Sequence, residues 1–166
     1  MEVEEVSILS NLAKHTFRQT YAAYNREENL EEYIRRQFNV DNMLKEISTP
    51  GVVCYFVCVE HHAVGYCMLN ERGKCPLSEI GDAIEIKRIY IDEHFKGYGA
   101  GSLLLETCKR YTLNRTYNCH WLCVWENNAN AIAFYKRRGF TICGHTTFQL
   151  GGDVQKDYVM IRKLGV

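Results

Sequence analysis

"HFKGYGAGSLLLE", residues 94–106, sets Gly97, Gly99 and Gly101 within five positions and then runs straight into leucines. The stretch before it, "AIEIKRIYID" (83–92), alternates apolar and polar side chains as a strand does. The stretch after it, about Gly99–Leu113, reads as helix, so the segment is strand, glycine turn, helix. Such a helix opens with backbone N–H groups that have no partner inside it, at the positive end of its dipole. An anion binds at that end, glycines let its oxygens approach the backbone, and Lys96 adds a full charge. Two phosphate loops are excluded by spacing. GxxxxGK followed by Ser or Thr is absent, and GxGxxG would need glycine at position 102, where Ser102 stands. What remains is a basic residue, Lys96, followed by x-x-Gly-x-Gly. By itself that pattern also fits a turn that merely caps a helix.

Working outward, apolar residues recur at Val6, Leu9, Ala13, Phe17, Tyr21 and Tyr24, at helical spacings of three and four. Further helices read at Glu28–Arg36 and Val40–Ile47, before Thr49-Pro50-Gly51 breaks the pattern. The period then changes. "VVCYFVCVE" (52–60) and "AVGYCMLN" (63–70) are apolar, β-branched and aromatic runs on either side of His61-His62, a hairpin of strands buried on both faces. Residues 71–82 read as loop and "CHWLCVW" (119–125) as strand. Residues 128–140 form a helix that begins at an asparagine and ends at Gly139, and strands at 141–149 and 156–164 close the chain. This order predicts an α+β, layered domain: a mixed, mostly antiparallel central sheet with helices on both faces.

Composition narrows the class. At 166 residues, 46% hydrophobic and 24% charged, the chain suits a single domain, 1–166, with its own core. Twenty basic residues balance 20 acidic ones, which speaks against nucleic-acid or membrane-surface binding driven by bulk charge. No apolar stretch approaches the roughly 20 residues of a membrane span. The eight cysteines form no CxxC pair; Cys54/Cys58 and Cys119/Cys123 sit four apart in strand-like runs. With no signal peptide, they read as reduced core thiols of a cytoplasmic protein rather than as a zinc site.

A second pattern lies downstream: Asn128-x-x-Ala131-x-x-Phe134-Tyr135-x-x-x-Gly139-Phe140. In this order, the loop at 96–101 and the helix at 128–140 resemble the GCN5-related N-acetyltransferases (GNAT), and the likeness extends over nearly the whole chain. "TFRQTYAAYNREENLEEYIRRQFN" (16–39), "CVWENNANAIAFYKRRGF" (123–140) and "KDYVMIRKL" (156–164) look particularly like the PaiA group of bacterial spermidine/spermine N-acetyltransferases. The resemblance implies the acyl-CoA N-acyltransferase fold. Two departures stand out. The family opens with a short strand before its first helix, so here that strand is missing or residues 1–5 form a stub of it. Polyamine acetyltransferases often carry a glutamate on the strand before the loop; this chain has Lys87 there, with Glu85 two residues earlier on the same face.

The resemblance also implies roles. Acetyl-CoA is the co-substrate, without a metal. Its pyrophosphate meets the backbone of Gly97, Tyr98, Gly99, Ala100, Gly101 and Ser102, with Lys96 near the adenosine end or, as the alternative, simply a solvated loop lysine. A splayed strand edge at Ile89, Tyr90 and Ile91 offers N–H groups to the thioester carbonyl, whose oxyanion needs a donor. Tyr135 is the family's position for the acid that protonates the leaving thiolate, with a helix aromatic packed on the core as the alternative; Asn128 faces the cofactor arm as well as capping its helix, with the cap alone as the alternative. A primary amine is neutral in only about one molecule in 2,500 at pH 7, a cost of roughly 4.6 kcal/mol, so a base or relay must help. Glu85 is the candidate, with an ordinary strand charge as the alternative; His120 reads first as structural and second as a water-mediated relay. Glu27, Glu28, Glu31 and Glu32 cluster beside Tyr21, Tyr24 and Tyr33 in the family's acceptor wall, where carboxylates and aromatic faces suit a polyamine. A solvated helix face is the equal alternative. The expected function is acetyl transfer to a primary amine, a polyamine by preference, with a protein or peptide acetyltransferase and a non-catalytic acyl-CoA-binding module as alternatives. The expected partner is a small-molecule amine, with no nucleic acid or membrane, for a monomer or homodimer.

Overall fold

The computed structural model describes residues 3–77, 82–115 and 117–165. Three helices come first, α1 (Val3–Tyr21), α2 (Glu27–Gln37) and α3 (Val40–Ile47), with a 3-10 turn at Ala22–Tyr24. Then come β1 (Val52–Val59), β2 (His62–Asn70), β3 (Ala83–Ile91), a 3-10 turn at Glu93–Phe95, α4 (Ala100–Leu113), β4 (Cys119–Trp125), α5 (Ala129–Arg137), β5 (Thr141–Leu150) and β6 (Asp153–Lys163). The predicted stripe of α1 is the buried one: Val6, Leu9, Ala13 and Phe17 are all in the core. Asn39 caps α3 by accepting from the Asn42 amide at 2.9 Å.

The strands form one mixed sheet in the order β1-β2-β3-β4-β6-β5, antiparallel except where β3 meets β4. Helices α1–α3 cover one face and α4–α5 the other. Alternation along β2 shows why its sequence is continuously apolar: Cys67 and Leu69 pack toward α4 and α5, while Tyr66 and Met68 pack toward α1–α3.

The feature that positions the site is the short β3–β4 pairing. Only Ala83, Ile84 and Glu85 pair with β4, opposite Cys119, His120 and Trp121. The β2–β3 register then slips so that Lys87 is an extra residue between Ile86 and Arg88. A bulge of this kind bends a strand. Beyond it β3 stays with β2 and β4 stays with β6, and the two middle strands part.

Two expectations change. Residues 3–5 are already helical, so no strand precedes α1 among the described residues; residues 1 and 2 of the expected stub lie outside them. Residues 78–81 of the expected loop lie outside them too. The cysteines are not uniformly core: Cys67, Cys108 and Cys119 are buried, but Cys58, Cys123 and Cys143 are exposed. Cys58 sits at the β1–β2 register slip, and Cys123 faces the gap that β3 leaves.

Candidate active site

A cleft of about 690 Å³ occupies the gap, within the usual size range of a small-molecule site. Its first wall is β3 from Ile86 to Ile91, its second is Cys123–Trp125 of β4, and Tyr135 of α5 lies between them. The direction of the β3 amides follows from pairing. The Asp92 amide donates to the Val64 carbonyl at 2.9 Å, opposite the β2 strand. Antiparallel pairing alternates, so Tyr90 and Arg88 bond β2, and the N–H groups of Ile89 and Ile91 face the gap.

The three glycines at the mouth serve two different needs. Gly97 and Gly99 both have φ of +88°, a left-handed conformation that favours glycine, and a Cβ on either would meet nothing within 4 Å. Gly101 is different: a Cβ there would stand 3.2 Å from the Phe134 ring, so this glycine lets α4 pack closely on α5. Gly99 caps α4 without a side-chain acceptor, which leaves the first-turn amides directed at open space. Arg138, which sequence reasoning missed, donates to Ser102 Oγ and sits 5.6 Å over the Phe134 ring. It brings a second fixed positive charge to the start of α4; neither pattern marks it, because its partner is 36 positions away. Lys96 lines the same mouth, while the Tyr98 side chain is 86% exposed and only its backbone belongs to the turn.

The model of the Acetyltransferase (GNAT) family matches residues 10–140, well over half of the chain. The chain belongs to the GNAT acetyltransferase family. The acetyltransferase is 31% identical to an uncharacterised N-acetyltransferase of Lactobacillus delbrueckii subsp. lactis over 153 residues, 92% of this chain and 88% of that protein. It is 24% identical to a spermidine N(1)-acetyltransferase of Thermoplasma acidophilum over 147 residues, 86% of each. Its fold is that of the PaiA N-acetyltransferase of Thermoplasma acidophilum, solved in complex with coenzyme A, with a TM-score of 0.79 over 98% of this chain and 95% of the other at 20% identity.

In the acetyltransferase, Tyr135 is 7% exposed and its ring packs against Phe134 and Phe140 at centroid distances of 5.4 and 5.5 Å. Burial pushes its phenol well above the ordinary value, so it is protonated at neutral pH. Asn128 Oδ1 accepts from the Ala131 amide at 3.1 Å, the expected cap, and the residue also lines the cleft. On the α1 side, Tyr21 and Tyr24 approach Trp125 at 5.6 and 5.1 Å. Trp125 completes an aromatic wall that the sequence does not announce.

Three predicted residues are not brought to this cleft. Glu85 stands at the closed end, where β3 and β4 still pair, and its Oε2 accepts from Asn70 Nδ2 at 3.0 Å. Burial raises its pKa, and it is not among the residues that line the cleft. Glu28 and Glu31 line a separate depression between α1 and α2 with Lys14, Arg18 and Arg35. There Glu31 is engaged by both Arg18 Nε and Nη2 at 2.7 Å, which pulls its pKa down. Lys87, at the position where polyamine acetyltransferases often have glutamate, does line the cleft, and it shares the Glu46 carboxylate of α3 with Arg88. His120 does not line the cleft. It is fully buried on the α4–α5 side, stacks on Phe140 and lies 2.6 Å from Thr112 Oγ1. The Thr112 hydroxyl already donates to the Cys108 carbonyl, so His120 Nε2–H is the donor between them. Burial first, then Arg162, lowers its pKa to about 4, and the ring is neutral.

Proposed function

We propose that the enzyme transfers the acetyl group of acetyl-CoA directly to a primary amine, a polyamine such as spermidine or spermine by preference, with Tyr135 as general acid. The parting of β3 from β4 beside Tyr135, with the Ile89 and Ile91 amides aimed into the gap, carries this reading. The mouth suits a pyrophosphate: open space beyond Gly97 and Gly99, first-turn amides of α4 and the charges of Lys96 and Arg138. Acetyl-CoA supplies the acetyl group as a thioester. The β3 amides stabilise the negative charge that develops on the acetyl oxygen. The Tyr135 phenol hydrogen-bonds the departing sulfur. Burial keeps the phenol protonated, so it can give its proton to the sulfur, and the proton that the acylated nitrogen loses restores it.

The polyamine preference is supported by named relatives, among them the Thermoplasma enzyme and a spermine/spermidine N(1)-acetyltransferase of Bacillus subtilis, 35% identical over 91 residues, 54% of this chain and 59% of that protein. The wall of Tyr21, Tyr24 and Trp125 suits cationic methylene chains. A cytoplasmic location is supported by eight cysteines, none in a disulfide.

The test is thiol release from acetyl-CoA with spermidine, spermine, a monoamine and a lysine peptide. Spermidine should give the highest kcat/KM; turnover of the peptide alone would replace the polyamine by a protein amine. Tyr135→Phe should lower kcat by about 10²–10⁴ and leave CoA affinity within about twofold. A loss below about threefold would return Tyr135 to the core.

A further inference from the structure

Buried polar atoms in folded proteins are nearly always hydrogen-bonded, so exceptions point to something absent from the chain itself. Two such atoms lie close together on β6. Gln155 and Asp157 are two residues apart and face the same side of the sheet, toward α1 and α2; Asp157 pairs with Trp125 on one side and Thr146 on the other, Gln155 with Phe148. Asp157 Oδ1 and Gln155 Oε1 are buried and have no hydrogen-bond partner among the described residues. The Gln155 amide nitrogen is committed to Asn25 Oδ1, just past the turn that carries Tyr24. Both orphan atoms are acceptors, so a ligand that satisfies them must carry N–H or O–H donors, and a carboxylate favours a cation.

The surroundings agree. Tyr21 from α1, Tyr33 from α2, Tyr90 from β3 and Cys123 from β4 all lie within the field of the Asp157 carboxylate, and Glu126 adds a like charge. Lys156, the adjacent cation, pairs with Glu126 at 3.8 Å, and no described Lys, Arg or His forms an ion pair with Asp157. Burial and Glu126 hold the Asp157 carboxyl up to about 6. A cation docked there would restore its charge. Neither Asp157 nor Gln155 lines the cleft itself, but Trp125, directly across from Asp157, and Tyr21, Tyr90 and Cys123 all do. The two oxygens therefore lie just behind the wall at the acceptor end, and a cation would reach them past Trp125.

We infer that Asp157 and Gln155 form the floor of the acceptor subsite, where they accept hydrogen bonds from a charged amine of the substrate and hold it against Trp125 and Tyr24. The inference deepens the amine-acetyltransferase reading by naming what recognises the amine. It moves that recognition from the acidic face of α2 to β6.

The test is calorimetric binding of spermidine, and separately of a lysine peptide, to the CoA-loaded protein, so it does not depend on turnover. Asp157→Asn should weaken spermidine binding about 10-fold to 100-fold and leave CoA affinity within about twofold. In the wild type, amine binding should fall as pH drops below about 6; in Asp157→Asn this fall should vanish. Equal amine affinity in the two proteins, a parallel loss of CoA and amine binding, or a wild type that binds neither probe overturns the inference. If the variant does not fold, amine binding by the wild type that stays constant from about pH 8 to about pH 5 overturns it just as well. Spermidine that binds through Asp157 but is not acetylated supports the subsite and removes the polyamine as product-forming substrate.

Discussion

Replacing Gly99 by alanine, with Gly139 as the matched control, separates a phosphate site from a merely tight turn. The two glycines are alike in the backbone, with φ of +88° and +84°. An L-residue held in that region costs about 1–2 kcal/mol. Neither added methyl clashes: nothing lies within 4 Å of a Cβ at 99, and at 139 the nearest atom is Arg162 Nε at 3.9 Å. Both variants should therefore lose about 1–2 kcal/mol of stability, roughly 2–8 °C in Tm for a domain of this size. They differ in what the methyl faces. At 99 it enters the open space before the first turn of α4; at 139 it lies beyond the end of α5, outside the cleft. Displacing a pyrophosphate from one backbone amide removes a charge-assisted hydrogen bond of about 1.5–3 kcal/mol, so CoA affinity in Gly99→Ala should drop about 10-fold to 100-fold. Gly139→Ala should bind like the wild type. The assay is calorimetric titration with CoA at fixed ionic strength, beside a thermal melt of each variant. Equal affinities in Gly99→Ala and wild type would place the phosphates elsewhere. Equal losses in both variants would mean that strain, not contact, sets the affinity.

Other outcomes follow from the same geometry. Gly65→Ala puts a Cβ 2.8 Å from the Tyr90 carbonyl oxygen, backbone that must shift, so it should cost about 1–3 kcal/mol in a urea melt and lower kcat by displacing the Ile91 amide; a variant with unchanged melt and rate would show that β3 is not held against β2 as described. The pH dependence of stability should be shallow in the wild type between about pH 6 and about pH 4, because two groups oppose each other. His120 has its folded pKa lowered from 6.5 to about 4, so the unfolded chain takes up more protons and stability falls as pH drops through that window. Asp157 has its pKa raised from 3.8 to about 6, so the folded chain takes up more and stability rises as pH drops. Asp157→Asn should leave the His120 slope alone, at most about 1.4 kcal/mol per pH unit; urea melts showing the same slope in both proteins would contradict this pairing. Glu85→Gln, and separately the joint change of Glu28, Glu31 and Glu32 to glutamine, should leave kcat and the spermidine KM within about twofold; a tenfold loss in either would return that carboxylate to the site.

The sequence by itself carried the elements, the layering and the family. Helix and strand periods are local, and the stripe from Val6 to Phe17 and the two-sided run of β2 are buried as their spacing requires. The glycine turn and the Asn128–Tyr135 helix are local too, because φ above zero and an N-cap are conditions on a few neighbouring residues. What local pattern cannot express is which strand lies beside which, and for how long. Glu85 and Lys87 share a face in the sequence, but the bulge at Lys87 leaves one in the closed end of the β3–β4 pair and the other in the gap. Glu31 looks like an available carboxylate until Arg18, 13 residues earlier, is folded against it. Arg138 beside Ser102, Trp125 beside Tyr21, and the partnerless oxygens of Asp157 and Gln155 depend on chain segments distant in sequence. Partnership at such a distance is set by sheet register and helix packing, which act through many residues at once, so only the folded chain decided where charge and open space meet.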